Sequence, residues 1–183
     1  MHRRIGSGSP LMLVHGYLGG QFMWQFQEPL QDDFELIMPS LAGYGESAHL
    51  EAPSSIPGNV DDICRLLDYL EIDKVDLLGH SMGGMVVQEM AANRPERINR
   101  LICLGTGSMG VLPNRFEPIE ESRRKILNLG LEHARENIAR TWFLNPDFEA
   151  GLSLCQSEGA KATKQAALAS LEAWEHWDGR EQL

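Results

Sequence analysis

The sequence predicts an α/β fold, a mostly parallel sheet flanked by helices and followed by a helical segment. Three observations carry that prediction. Residues 11–14 (Leu-Met-Leu-Val), 34–38 (Phe-Glu-Leu-Ile-Met), 75–78 (Val-Asp-Leu-Leu) and 101–104 (Leu-Ile-Cys-Leu) are short apolar runs of the kind that form buried strands. Each is followed by a turn containing glycine or proline, and the stretches after the second and third runs carry apolar residues at helical spacing. From Met109 onward the strand pattern ceases and helical periodicity takes over.

Composition sets outer bounds. At 183 residues with 43% apolar content, the chain is one domain, or one with an inserted subdomain. A formal net charge of -10 argues against nucleic acid or an anionic membrane as partner, since both favour a basic face. The three cysteines, Cys64, Cys103 and Cys155, are far apart and lack C-x-x-C spacing, which argues against a disulfide framework or a thiolate metal site. A reducing cytoplasm is the expected compartment. His2-Arg3-Arg4 precedes only a short apolar run, too short for a signal segment, and no stretch has the length of a membrane span.

Taken in order, residues 1–10 are polar and hold at most a strand remnant around Ile5. The first committed strand delivers His15-Gly16-Tyr17-Leu18-Gly19-Gly20 at its C-terminal end, where ligands bind in open α/β sheets, and Trp24 opens a helix after it. The second strand leads into Pro39-Ser40-Leu41-Ala42-Gly43-Tyr44-Gly45-Glu46-Ser47. Val60, Ile63, Cys64, Leu67 and Leu70 then mark one face of a helix, with Cys64 in the core.

The third strand runs into Gly79-His80-Ser81-Met82-Gly83-Gly84. This G-x-S-x-G turn requires a sharp strand-to-helix reversal with Ser81 at positive φ, and Gly79 and Gly83 lie where strand and helix approach too closely for a β-carbon. Ser81 then sits at a helix N-terminus, which favours developing negative charge. The helix carries Met85, Val86, Val87, Met90 and Ala91 and stops at Asn93-Arg94-Pro95. The fourth strand places Cys103 in the core. Beyond Met109, residues Ile126 to Trp142 suggest a helical pair, Asn145-Pro146 a break, and Ala160, Thr163, Ala167, Leu171 and Trp174 a long final helix.

The His15-Gly16 loop, the Gly43-Tyr44-Gly45-Glu46-Ser47 loop and the Gly79 to Gly83 turn occur in the order found in the α/β-hydrolase family, which the chain resembles over nearly its whole length. The resemblance implies a three-layer α/β-hydrolase-like sheet, incomplete here, with a helical cap after the strand that follows the elbow. Residues 1–108 would be the core, 109–180 the cap and 181–183 the start of further core. It implies a serine hydrolase that acts on an ester, lactone or thioester without a cofactor. Ser81 would be the nucleophile and the amides of Tyr17 and Met82 the oxyanion donors, supported by His15, Gly16, Gly79, His80 and Gly83. Trp24, Trp142 and Phe143 are the expected walls of a pocket for a mainly apolar small-molecule substrate, with no metal ligands. Carbon–carbon bond hydrolysis, perhydrolysis and ligand binding without catalysis are the alternatives.

In that family the catalytic acid and histidine follow later strands. None of His2, His15, His49, His80, His133 and His176 follows a strand downstream of Ser81, and Gly105-Thr106-Gly107 offers no carboxylate. The expectation is therefore that acid and histidine lie beyond residue 183. Both outer strands, 34–38 and 101–104, would be sheet edges. The 183 residues alone would be essentially inactive and prone to self-association through an exposed edge.

Overall fold

The computed structural model describes residues 1–113, 117–144 and 149–181. Its sheet has the order β1-β3-β2-β4-β5, from β1 (His2–Ile5), β2 (Ser9–Val14), β3 (Phe34–Pro39), β4 (Val75–His80) and β5 (Ile98–Leu104). β2, β3, β4 and β5 run parallel, and β1 is antiparallel to β3. The four apolar runs thus became adjacent parallel strands. The remnant around Ile5 is a full edge strand, so β3 is an interior strand rather than the expected edge.

The helices are α1 (Ile56–Tyr69), α2 (Met82–Asn93), α3 (Ile119–Leu129), α4 (Leu131–Thr141), α5 (Glu149–Gly159) and α6 (Lys164–Glu175), with a 3-10 helix over Gln21–Asp32. α1 starts where the Ser55 hydroxyl accepts from the Gly58 amide at 3.1 Å and Pro57 pre-sets the first turn. Its buried Ile56, Val60, Ile63 and Leu67 face α2 and the sheet. α2 is apolar on nearly every side and buried through its first nine residues, because it lies between the sheet, α1 and the later helices.

Period-two alternation in β2 divides the core. Met12 and Val14 pack with α1, α2 and α6, whereas Leu11 and Leu13 pack on the opposite face with Leu36, Met38 and Trp24. Outermost β5 is the exception to burial. Leu101, Ile102, Cys103 and Leu104 are all exposed, so Cys103 is not the core residue its apolar run suggested: no element among the described residues pairs with the outer side of β5.

The later helices form a layer over the C-terminal ends of the strands. α3 and α4 are the expected pair, α5 had no counterpart in the sequence reading, and the final helix begins only at Lys164, where the Thr163 hydroxyl accepts from the Ala166 amide at 3.0 Å. Asn145-Pro146 lies outside the described residues. The chain returns at 108–110, which pairs with 177–179: Gly110 N–H donates to Trp177 O and Gly179 N–H to Ser108 O. No helix among the described residues is long and apolar enough to cross a membrane.

Candidate active site

β4 ends at His80 and α2 begins at Met82, so Ser81 makes the reversal by itself, at φ 53° and ψ −119°. For a residue with a β-carbon this conformation costs about 1–3 kcal/mol and persists only where the surroundings impose it. They do so through hydrogen bonds to its backbone. The Ser81 amide donates to Leu104 O at 3.0 Å, and its carbonyl accepts from the Gly84 amide at 2.9 Å, the Met85 amide at 3.3 Å and the Thr106 hydroxyl at 2.8 Å. A β-carbon on Gly79 would stand 2.3 Å from Gly83 O, and one on Gly83 would stand 2.3 Å from Val14 O. Helix and strand ends can therefore meet here only through glycine.

Strand register brings the second motif to this turn. Val14 lies opposite Gly79, so the chain leaving β2 at His15 emerges beside His80 and Ser81. Contact is immediate, since a β-carbon on Gly16 would lie 3.0 Å from the Ser81 β-carbon. His15 holds the loop from beneath. The Leu41 amide donates to its Nε2 at 2.9 Å, which leaves the proton on Nδ1 to be donated to Gly16 O at 2.8 Å. The imidazole is buried and neutral, with its pKa pushed down to about 4 by burial, against a smaller opposing effect of the Gly16 hydrogen bond.

The third motif supports the first. Its Leu41 supplies the amide just described, and Gly43 lies so close to α6 that a β-carbon would stand 2.3 Å from that of Ala166. The Tyr44 hydroxyl donates to Ala166 O at 3.1 Å, which makes Ser170 the donor in its 2.6 Å contact with Tyr44.

Two cavities meet at Ser81. One of about 400 Å³ is lined by Gly16, Met23, His80, Trp142, Phe143 and Cys155, among others. The other, about 220 Å³, is bounded by Met85, Leu112, Ile138 and Trp174, and shares Tyr17, Ser81 and Trp142 with the first. No Asp, Glu, Lys or Arg is among the described residues that line either. His80 is mostly buried in the larger wall, and burial lowers its pKa. Trp24 does not line these cavities. It is buried on the other face of the sheet, because successive residues of a 3-10 helix diverge by about 120° and the preceding Met23 is the one facing the cavity.

Among the described residues no hydrogen bond reaches the Ser81 hydroxyl. His15 is engaged at both nitrogens, while His49, His133 and His176 are exposed. No group of three or more His, Cys, Asp or Glu among the described residues is placed to hold a metal ion.

Residues 9–140 match the family model described as alpha/beta hydrolase fold. The chain belongs to the α/β-hydrolase fold family. Similar members include the dihydrolipoyllysine-residue acetyltransferase component of acetoin cleaving system of Pseudomonas putida, 36% identical over 104 residues, which are 56% of this chain and 28% of that protein. A second is 2-hydroxymuconate semialdehyde hydrolase of Pseudomonas sp. (strain CF600), 34% identical over 112 residues, 57% of this chain and 38% of that one. This chain thus spans well under two thirds of either relative. The crystal structure of the enol-lactonase from Burkholderia xenovorans LB400 superposes with a TM-score of 0.88 at 22% identity, over 100% of this chain and 72% of its own, a likeness of fold.

Within this α/β-hydrolase fold, Met23 lines the larger cavity as its place among the large apolar residues near the loop led one to expect, whereas the sequence reading missed Cys155 and Leu112 as cavity walls, the Thr106 hydroxyl on Ser81 O, and the Leu41 amide on His15. Only Leu41 had a signal, its place inside the Pro39 to Ser47 motif. Cys155 lies on α5, whose sequence shows little amphipathic pattern to reveal it.

Proposed function

We propose that this protein is a serine hydrolase that cleaves a carboxylic ester, lactone or thioester with a mainly apolar moiety through an acyl-Ser81 intermediate. The observation that carries the reading is Ser81 itself, held at positive φ at the N-terminus of α2, at the junction of two cavities and against Gly16. A strained conformation at a cavity is where strain serves chemistry.

In the reaction, the Ser81 oxygen attacks the carbonyl carbon and the carbonyl oxygen takes up negative charge. The amide of Met82, at the first position of α2 with no acceptor inside the helix, and the amide of Tyr17 in the loop after His15 are the proposed donors to that oxygen. Loss of one such donor costs roughly 10²- to 10³-fold in rate. Collapse expels the alcohol or thiol, and water then releases the acid and restores the hydroxyl. The hydroxyl proton must pass to a base, and no described imidazole is hydrogen-bonded to Ser81. This acyl transfer uses no cofactor.

Uncharged cavity walls with Trp142, Phe143, Ile138 and Trp174 support an apolar substrate moiety. The relative named for hydrolysis of 2-hydroxymuconate semialdehyde supports hydrolytic cleavage of a carbon–carbon bond as a second reading. A series of p-nitrophenyl esters decides between outcomes. We expect slow turnover that rises with apolar chain length and is lost in Ser81→Ala. Equal turnover by Ser81→Ala, or fastest turnover of a charged hydrophilic ester, would overturn the reading.

A further inference from the structure

Glu158 on α5 is 2% exposed, and the reaction above makes no use of it. A buried carboxylate is costly unless each oxygen is satisfied. Oε1 receives the Lys161 ammonium at 2.8 Å, which also reaches Glu46 at 3.0 Å and lies over the Phe22 ring at 4.7 Å from its centroid. Oε2 accepts the Phe22 amide at 3.3 Å.

That amide has a particular place. The 3-10 helix Gln21–Asp32 begins after Gly20, an N-cap residue with no side chain to cap it. Its first two amides are therefore served from elsewhere, Gln21 N–H donating to the Ser40 hydroxyl at 3.2 Å and Phe22 N–H to Glu158, while Met23 N–H closes the first turn on Gly20 O at 3.1 Å. Phe22 is at the second helical position, whose amide an N-cap side chain ordinarily receives. The carboxylate also occupies the space such a side chain would need, since a β-carbon on Gly20 would stand 2.3 Å from Oε2. Negative charge at this end of a helix is favoured.

We propose that Glu158 is a positioning residue, an N-cap supplied from α5 that fixes the start of the 3-10 helix and so holds the His15 to Gly20 loop against Ser81. The helix starts one residue after that loop, and Gly19 and Met23 line the same cavity as Cys155, one turn before Glu158 on α5. One contact thus sets both walls of the cavity. The role in the reaction rests on the serine-hydrolase reading, whereas the cap does not.

Two measurements separate them. Hydrogen exchange read by mass spectrometry reports on the cap: in Glu158→Ala, residues 16–23 should exchange about fivefold faster or more, with residues 75–80 unchanged. The rate of Ser81 phosphonylation by a fluorophosphonate reports on positioning. It should fall about threefold or more in Glu158→Ala, in the limiting rate at saturating probe rather than in the half-saturating concentration. Rescue follows from the geometry. Gly20 has extended φ of −174°, so Gly20→Ser can supply a local cap once Glu158 is gone. The pair Gly20→Ser with Glu158→Ala should return both readouts to within about twofold of wild type, while Gly20→Ser alone slows phosphonylation by displacing the carboxylate. Unchanged exchange in residues 16–23 of Glu158→Ala overturns the cap, and unchanged phosphonylation overturns the positioning role even where the melting temperature falls. A wild-type protein that is never phosphonylated, yet shows the exchange and rescue pattern, retires the serine-hydrolase reading and leaves the cap standing.

Discussion

The amide of Leu41 donates to Nε2 of His15 at 2.9 Å, so the imidazole beneath the loop can be protonated only by breaking the contact that joins two motifs 26 residues apart. Its folded-state pKa is lowered to about 4 from 6.5. A base with a depressed folded pKa contributes stability that is fully present above the unfolded value and is lost as pH falls through the folded one. Unfolding free energy should accordingly decline from about pH 6.5 down to about 4, by up to roughly 3 kcal/mol from His15. His80, also lowered by burial, acts in the same direction. Urea midpoints at pH 7 and pH 4.5 check this, and His15→Gln should flatten the dependence.

Strain at Ser81 is testable apart from chemistry. Glycine reaches φ 53° at no steric cost, so Ser81→Gly should be about 1 kcal/mol more stable than Ser81→Ala, although neither retains the hydroxyl. Denaturant melts of the two variants provide the comparison.

Glycines should divide by what a β-carbon would meet. Gly83→Ala drives a methyl into Val14 O and should cost about 3 kcal/mol or more, or prevent folding. At Gly159 the nearest heavy atom to a β-carbon, Leu18 O, is 3.5 Å away, so Gly159→Ala should be neutral or stabilise α5 by up to about 1 kcal/mol. Thermal melts distinguish them directly.

The glycine-flanked serine was legible in the sequence because its requirements are local: a strand, a reversal that only certain residues tolerate, and an apolar helix. The four parallel strands were legible for the same reason, as unbroken apolar runs. Trp24 and Cys103 were not, since an apolar side chain announces that it seeks burial and not on which face of the sheet it finds it. β1 was reduced to a remnant because His2-Arg3-Arg4 reads as polar, yet an edge strand needs only backbone pairing with β3, and Arg4 spans to Glu35 at 2.9 Å. Glu158 gave no local signal. Its role exists only where α5 meets a helix 136 residues earlier in the chain.

β5 leads to a prediction about association. Leu101, Ile102 and Leu104 are 37, 45 and 50% exposed on a strand that, among the described residues, is paired on one side only, which offers unpaired backbone and apolar surface together. The 183-residue chain should form concentration-dependent oligomers in sedimentation velocity, and Ile102→Lys with Leu104→Lys should shift it toward monomer. Oligomers that persist unchanged in that double variant would place the contact elsewhere.

Everything proposed about function turns on Ser81. Its most direct test is prolonged incubation with a fluorophosphonate, followed by intact-mass measurement and peptide mapping. With no base hydrogen-bonded to Ser81 among the described residues the reaction is expected to be slow, but the adduct does not turn over and therefore accumulates. One adduct per chain is expected, on Ser81, and none on Ser81→Ala. Adducts spread over several serines, or equal labelling of wild type and Ser81→Ala, would contradict it.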